Sequence, residues 1–270
     1  MTNVSENYTS INRQSWNNRV ESHYQSDFYD VEGFLQGKSS LNDIELELLG
    51  DVSGKSVLHL QCHFGQDTIS LSRLGAKPTG VDLSDQAIEK AKLLNKECHT
   101  DASFICCDIY DLPNHMQEKF DVVFTSYGTI GWLPDLNKWA EIINKYLKPG
   151  GKFLIVEFHP VVWMFDDDFQ RIAYNYFNTG AIVENESGTY ADRDAKINQD
   201  YVMWNHSLGE VFNGLFNQGM KIQSFQEYDY SPYPCFKHVE EISAKKFRIS
   251  HLQNKLPMVF ALEAIKTTEL

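Results

Sequence analysis

Residues 57–82, VLHLQCHFGQDTISLSRLGAKPTGVD, decide how this chain is read. They open with an apolar run at 57–60 (VLHL), pass a polar turn at 61–65 (QCHFG), and continue with apolar Ile69, Leu71 and Leu74 until Gly75. A second short run at 79–81 ends on Asp82. That order predicts strand, tight loop, helix, strand and acid, a βαβ unit with its ligand-binding loop at the carboxyl end of the first strand. Gly65 lets backbone approach a ligand because it has no Cβ. Asp82 stands where such a unit places an acid that accepts hydrogen bonds from ribose hydroxyls. Only Gly65 remains of the glycines that GxGxxG needs, and Gln61 and His63 stand where a nucleotide loop usually has glycine. A pyrophosphate would be poorly cradled there, which argues against a dinucleotide.

Working outward, Ser84 is an N-cap with Asp85 in the first turn, and Ala87, Ile88, Ala91 and Leu94 give that helix its face. A third strand at 102–107 ends at Asp108-Ile109-Tyr110. Residues 120–126 (FDVVFTS) are apolar and β-branched, as a buried parallel strand should be, and deliver 126–132 (SYGTIGW) to the mouth of the site. Asp135 caps a helix that LKPGG (147–151) stops, because proline cannot continue it and glycine supplies a left-handed exit. Strand five, 152–158, follows. Residues 161–205 form a long insertion with a hairpin turn at 187–189, and an insertion above the active face predicts a substrate cap. Ser207 and Glu210 make a capping box for another helix. Residues 221–228 and 257–266 read as the last two strands, and the link 231–255, with Tyr233 and His238, returns toward the site.

LHLQCHFG, GVD, CCD, FDVVFTS and LKPGG, in this order and spacing, resemble the motifs of the class I S-adenosylmethionine (SAM)-dependent methyltransferases over about residues 55–160. The loop 59–65 resembles motif I, (D/E)xGxGxG, with only the last glycine kept, and is similar to a branch of the family with an LHLQCHFG-type loop. The resemblance implies an α/β, Rossmann-like fold: a seven-stranded, mostly parallel sheet whose antiparallel last strand inserts between the fifth and sixth, with helices on both faces. It implies one domain over 1–270, made of a helical lid (1–50), a SAM-binding core (51–160), a cap after strand five (161–205) and the C-terminal part of the sheet (206–270). SAM is the implied cofactor and S-adenosylhomocysteine (SAH) the product. By the same resemblance Asp82, with Leu83 beside it, holds the ribose; Asp108 binds the adenine amino group, with Ile109 against the ring. Gln61, His63, Gly65, Ser126 and Tyr127 meet the methionine end. Tyr29, Trp132, Glu157 and His159 are the residues expected near the acceptor. His159 is either a general base or a histidine that hydrogen-bonds the cap, and Glu157 orients either a substrate or a neighbouring loop. Trp16, Tyr24 and Tyr29 either touch the cofactor or pack a helix onto the sheet.

The net charge of −13 disfavours a nucleic-acid partner, and the one basic cluster, at 245–248, reads as a solvated face. Five cysteines without a CxxC spacing fit reduced thiols in a cytoplasmic protein, and no metal site is expected. The polar N-terminus is unlike a signal peptide, and no run is long enough to span a bilayer. The expected partner is a small-molecule methyl acceptor, with the chain a monomer or homodimer. Two rivals share such a sheet: a SAM-binding sensor or subunit without activity, and a nicotinamide-dependent oxidoreductase.

Overall fold

The structure, a computed structural model, describes residues 7–267; the terminal residues 1–6, part of the polar N-terminus read above, lie outside the described residues, as do 268–270. Three helices come first, α1 (Tyr8–Gln25), α2 (Val31–Leu35) and α3 (Asp43–Leu49). The βαβ unit forms as β1 (Ser56–Leu60), α4 (Gln66–Arg73) and β2 (Lys77–Asp82), with β1 and β2 parallel. Next come α5 (Asp85–Glu97), β3 (Ser103–Cys106), β4 (Phe120–Ser126), α6 (Leu136–Tyr146) and β5 (Leu147–Phe158). Ser84 Oγ accepts from the Ala87 N–H, and Asp135 accepts from Asn137 and Lys138, so α5 and α6 begin at the caps their sequence offers.

A seven-stranded sheet runs β3-β2-β1-β4-β5-β11-β8, where β8 is Met220–Tyr228 and β11 is Val259–Lys266. β11 lies antiparallel between β5 and β8, and the pairs among β3, β2, β1, β4 and β5 are parallel. This is the insertion of the last strand that the resemblance implied.

Alternate strand residues face opposite sides. Leu58, Leu60, Val123, Phe153 and Leu262 pack with Trp139 and Ile143 of α6 and with Val211 and Leu215 of α7 (Leu208–Asn217). Val57, Val122, Phe124 and Leu154 face the other way, onto Leu49 of α3 and Leu71 of α4. Each such fully buried side chain contributes about 1.5–3 kcal/mol. The sheet therefore holds helices on both faces and leaves the carboxyl ends of β1 to β4 for chemistry.

Strand five starts earlier than the helix-stop reading gave. Leu147 already pairs with Phe120, and the register then shifts so that Val122 meets Lys152. KPGG is thus a bulge inside β5, with Gly150 at φ 75° making the turn. The insertion carries a hairpin, β6 (Ile182–Ser187) and β7 (Asn198–Met203), and α1 packs on β7. The link after β8 holds a smaller hairpin, β9 (Val239–Ser243) and β10 (Lys246–Ile249), that its sequence did not announce. Among the described residues no helix is long and apolar enough to cross a membrane.

Candidate active site

The loop after β1 has an unusual backbone. Gln61, His63 and Gly65 all take positive φ, at 56°, 50° and 80°. These are the positions where motif I has its three glycines. A non-glycine residue pays about 1–2 kcal/mol for that conformation, so side-chain contacts have to offset the strain. They do so at both positions. Gln61 Nε2 donates to Thr129 O at 2.8 Å, tying the loop to the turn after β4. The His63 N–H donates to Asp82 Oδ2 at 2.7 Å, and its ring Nε2 lies 3.0 Å from Nδ1 of His23 on α1. At Gly65 itself a Cβ would stand 2.6 Å from the Phe104 ring.

Asp82, at the end of β2, also accepts from the Ser84 N–H at 2.9 Å. Burial pushes its carboxyl up to about 6, against the pull of the Ser84, His63 and Leu83 N–H groups. Leu83, half-buried, is the next residue, and its carbonyl meets Cys106 Sγ. Asp108, just past β3, accepts from the Tyr110 N–H at 2.8 Å and from Thr9 Oγ1 of α1 at 3.5 Å. Ile109 does not present an open face for a ring: it is 3% exposed and lies in the core with Leu112 and Met116, because the chain turns inward after Asp108.

At the end of β4 the chain passes Ser126, Tyr127 (φ 39°) and Gly128 (φ 71°) into a short 3-10 turn, Ile130–Trp132. Ser126 Oγ donates to Asp67 Oδ2 at 3.2 Å, and Tyr127 OH donates to Glu45 Oε2 at 3.0 Å. Trp132 packs edge-on to Trp16 of α1 and beside Tyr201 of β7. Tyr29 hydrogen-bonds Tyr190, in the loop between β6 and β7, and stacks on His23.

Two of the residues expected near the acceptor are otherwise engaged. Glu157, 1% exposed, accepts from the backbone N–H groups of Gly128, Thr129, Ile130 and Phe158, and from Thr129 Oγ1. Its carboxylate holds the β4 turn and has no oxygen left for a substrate. His159 sits 3% exposed with Nε2 at 2.9 Å from Glu227 of β8, and its Nδ1 accepts from the Val161 N–H at 3.2 Å. Burial lowers its affinity for a proton, with Glu227 opposing. The ring therefore bonds the sheet's far edge through one nitrogen and the first residue of the 161–205 insertion through the other, and neither nitrogen is free to act as a base.

Sequence reasoning passed over His23, Arg19, Asp67 and Tyr190. Arg19, 3% exposed, pairs with Glu186 of β6 at 2.8 Å and lies over the rings of Trp16, Trp132 and Tyr201. A buried arginine in a helix without an apolar stripe was the available signal. His23 and His63 are both kept neutral, foremost by burial, His63 down to about 3. In a neutral hydrogen-bonded pair, one outer nitrogen is a donor and the other an acceptor whichever tautomer holds. Those outer atoms, His23 Nε2 and His63 Nδ1, are buried without a partner, as is Gln61 Oε1. Such orphaned polar atoms cost stability unless a ligand meets them. An amino-acid moiety supplies both donors and acceptors, so SAM fits the residues present.

Residues 57–151 match the family model described as a methyltransferase domain. A 131-residue stretch is 33% identical to an uncharacterised methyltransferase of Synechocystis sp., covering 48% of this chain and 59% of that protein. A ubiquinone biosynthesis O-methyltransferase of Idiomarina loihiensis is 30% identical over 131 residues, 47% of this chain and 54% of its own. The match thus spans between half and three fifths of these curated relatives. Among solved structures, the geranyl diphosphate C-methyltransferase of Streptomyces coelicolor A3(2), with SAH bound, is 14% identical at a TM-score of 0.61, covering 96% of this chain and 98% of that one. A SAM-dependent methyltransferase of Clostridium acetobutylicum is 15% identical at a TM-score of 0.57, with coverage of 96% and 100%. These likenesses establish the fold.

Proposed function

We propose that this chain, which carries a methyltransferase domain at residues 57–151 on the class I methyltransferase fold, transfers a methyl group from SAM to a small or medium-sized acceptor. The observation that most supports this is the pair of acids, Asp82 and Asp108, at neighbouring strand ends beside a left-handed loop whose buried polar atoms lack partners. In this reading Asp82 takes the ribose hydroxyls with Leu83 alongside, and Asp108 takes the adenine amino group. Gln61, His63, Gly65, Ser126 and Tyr127 meet the methionine end. The acceptor lies by Tyr29 and Trp132. Two of the similar proteins, a ubiquinone biosynthesis O-methyltransferase and a geranyl diphosphate C-methyltransferase, agree with a small acceptor.

The sulfonium supplies an activated carbon: as the acceptor's bond to the methyl forms, the carbon–sulfur bond breaks and its pair stays on a neutral sulfur. The chain's own part is positioning, which converts a bimolecular step into an effectively unimolecular one. Gln61 ties the cofactor loop to Thr129, and Glu157 pins the same turn, so the donor and acceptor sides share one frame. The cap at 161–205 and α1 roof that frame and keep water out. The chain acts as one domain.

The test is calorimetry with SAH, followed by turnover of methyl-labelled SAM against a metabolite panel. Tight SAH binding without turnover would favour the sensor reading. Asp82→Ala should weaken SAH affinity by about 1–3 kcal/mol, the scale of hydrogen bonds to a charged group. Unchanged affinity would remove Asp82 from the ribose role.

A further inference from the structure

Beside the cofactor loop, four tyrosines from four separate segments, Tyr29, Tyr127, Tyr190 and Tyr233, come together. Burial is the leading influence on all four phenols and pushes each up. Each nevertheless keeps accessible surface. Phe28 bridges the group, edge-on to Tyr190 at 5.3 Å and stacked on Tyr233 at 5.6 Å. The rings fix one another: Tyr29 and Tyr190 share a hydrogen bond, and Tyr127 meets Tyr233 edge to face at 5.1 Å.

Two carboxylates belong to the same group. Asp67, in the first turn of α4, is held by Ser126 at the end of β4, and among the described residues no hydrogen bond reaches its other oxygen. Glu45 of α3 accepts from Tyr127. Gln66, the residue before Asp67, donates to the Tyr29 carbonyl at 2.9 Å, and Ser126, the residue before Tyr127, bonds Asp67 itself, so Asp67 sits between the segments that carry these two tyrosines. Among the described residues no basic side chain lies within ion-pair distance of either acid. A separate observation comes from α1. His23 is fully buried, stacks on Tyr29, lies 4.8 Å from Tyr190, and has an unpartnered Nε2.

Resting on the methyltransferase reading, we propose that the methyl acceptor is an amine, bound as a cation between Asp67 and the tyrosine faces. Aromatic faces attract cations, and the attraction grows where water is excluded. Asp67 lacks a counter-charge that an ammonium supplies, whereas a carboxylate or phosphate acceptor would add a further negative charge to a poorly hydrated site. The bonds to Ser126 and, through His23, to the loop after β1 put this cluster beside the donor site. A protonated amine has no lone pair to give. The free oxygen of Asp67 takes one proton, breaking N–H and forming O–H. The neutral amine then forms the N–C bond while the C–S bond breaks toward sulfur.

The full-length protein is loaded with SAH and titrated with benzylamine and, separately, benzoate. Benzylamine should bind at least about ten-fold tighter, a difference within reach of one desolvated cation–aromatic contact. Asp67→Asn should narrow that ratio at least about three-fold. Glu45→Gln is a second variant should the first fold poorly. Equal binding or a preference for benzoate overturns the amine assignment, and so does a ratio that both variants leave unchanged. The SAH titration separates the two claims: failure to bind SAH removes the donor site itself, while SAH binding with an inverted preference removes only the amine.

Discussion

His159 shows how a position at a strand end and a role in chemistry come apart. Its place after β5 made it the best base in the sequence, yet Glu227 and Val161 occupy both ring nitrogens. His159→Ala should leave SAH affinity unchanged and turnover within a few-fold, while costing about 1–3 kcal/mol of stability for the lost buried hydrogen bonds. A collapse in turnover with stability intact, measured by denaturant unfolding and initial rates, would return the base role to it. Glu45 makes the opposite point, since nothing in IELELL marked it. Burial, then the nearby Asp67 charge, raises its carboxyl from 4.5 to about 7. The folded state thus holds this proton more tightly than the unfolded chain does. Its contribution is fully present below about pH 4.5 and is lost as pH rises through 7. Glu45→Gln cannot ionise. Relative to wild type it should gain stability between pH 5 and 8, by up to roughly 3 kcal/mol on the linkage relation. Parallel unfolding curves of the two proteins across that range would contradict the raised carboxyl.

The turn after β4 depends on an acid from the neighbouring strand. Three consecutive N–H groups, from Gly128, Thr129 and Ile130, converge on Glu157 of β5. Such a run of N–H groups forms an anion-binding concavity, here filled by the chain's own carboxylate. Glu157→Gln replaces one acceptor oxygen with an NH2 group that faces donors. It should cost roughly 2–4 kcal/mol and lower turnover more than SAH affinity, as the orphaned donors release the turn. Stability and the split between kcat and KM would check this. Local patterns made the elements themselves legible: FDVVFTS is a buried strand because its apolar β-branched run is short, and Ser84 and Asp135 are caps because their oxygens reach the first free N–H groups. What the sequence hid were partners far along the chain. Asp82 and Asp108 could be placed from their strand ends, and a neighbouring loop was one of the two readings of Glu157, but that the loop is the β4 turn follows from a strand pairing that no local window contains. The same holds for Gln61 and His63. They were noted as departures from glycine, but not as residues held in the glycine conformation.

α1 shows why periodicity failed for the roof and what the roof does. Its buried face is polar at Asn12, Ser15, Arg19 and His23 and apolar only at Val20, so an apolar period alone does not pick that face out. Each polar group has a distant reason to be buried. Asn12 exchanges two hydrogen bonds of 2.8 Å with the backbone of Val202, as a neighbouring strand would. Arg19 reaches Glu186, and Tyr8 meets Trp204 edge-on at 5.2 Å. These contacts join α1 to the β6–β7 hairpin. A second set joins α1 to the core: Ser84 Oγ donates to Asn17 Oδ1 at 2.6 Å, Lys90 pairs with Glu21 at 2.9 Å, and His23 meets His63. With both sets of contacts in place, helix and hairpin are expected to open as one body, exposing the loop at His63 and the ring of Tyr190 together. Asn12→Ala leaves the buried Val202 N–H and C=O unpaired, at a cost of about 1–3 kcal/mol each way the group is orphaned. Amide exchange in this variant should quicken in residues 8–25 and 182–203 to a similar degree, while β1 and β4 stay protected. SAH should slow both segments again, because a ligand that binds only the closed form raises the free energy of opening. Quickening confined to the hairpin, with α1 as protected as in wild type, would mean that the two halves of the roof open independently.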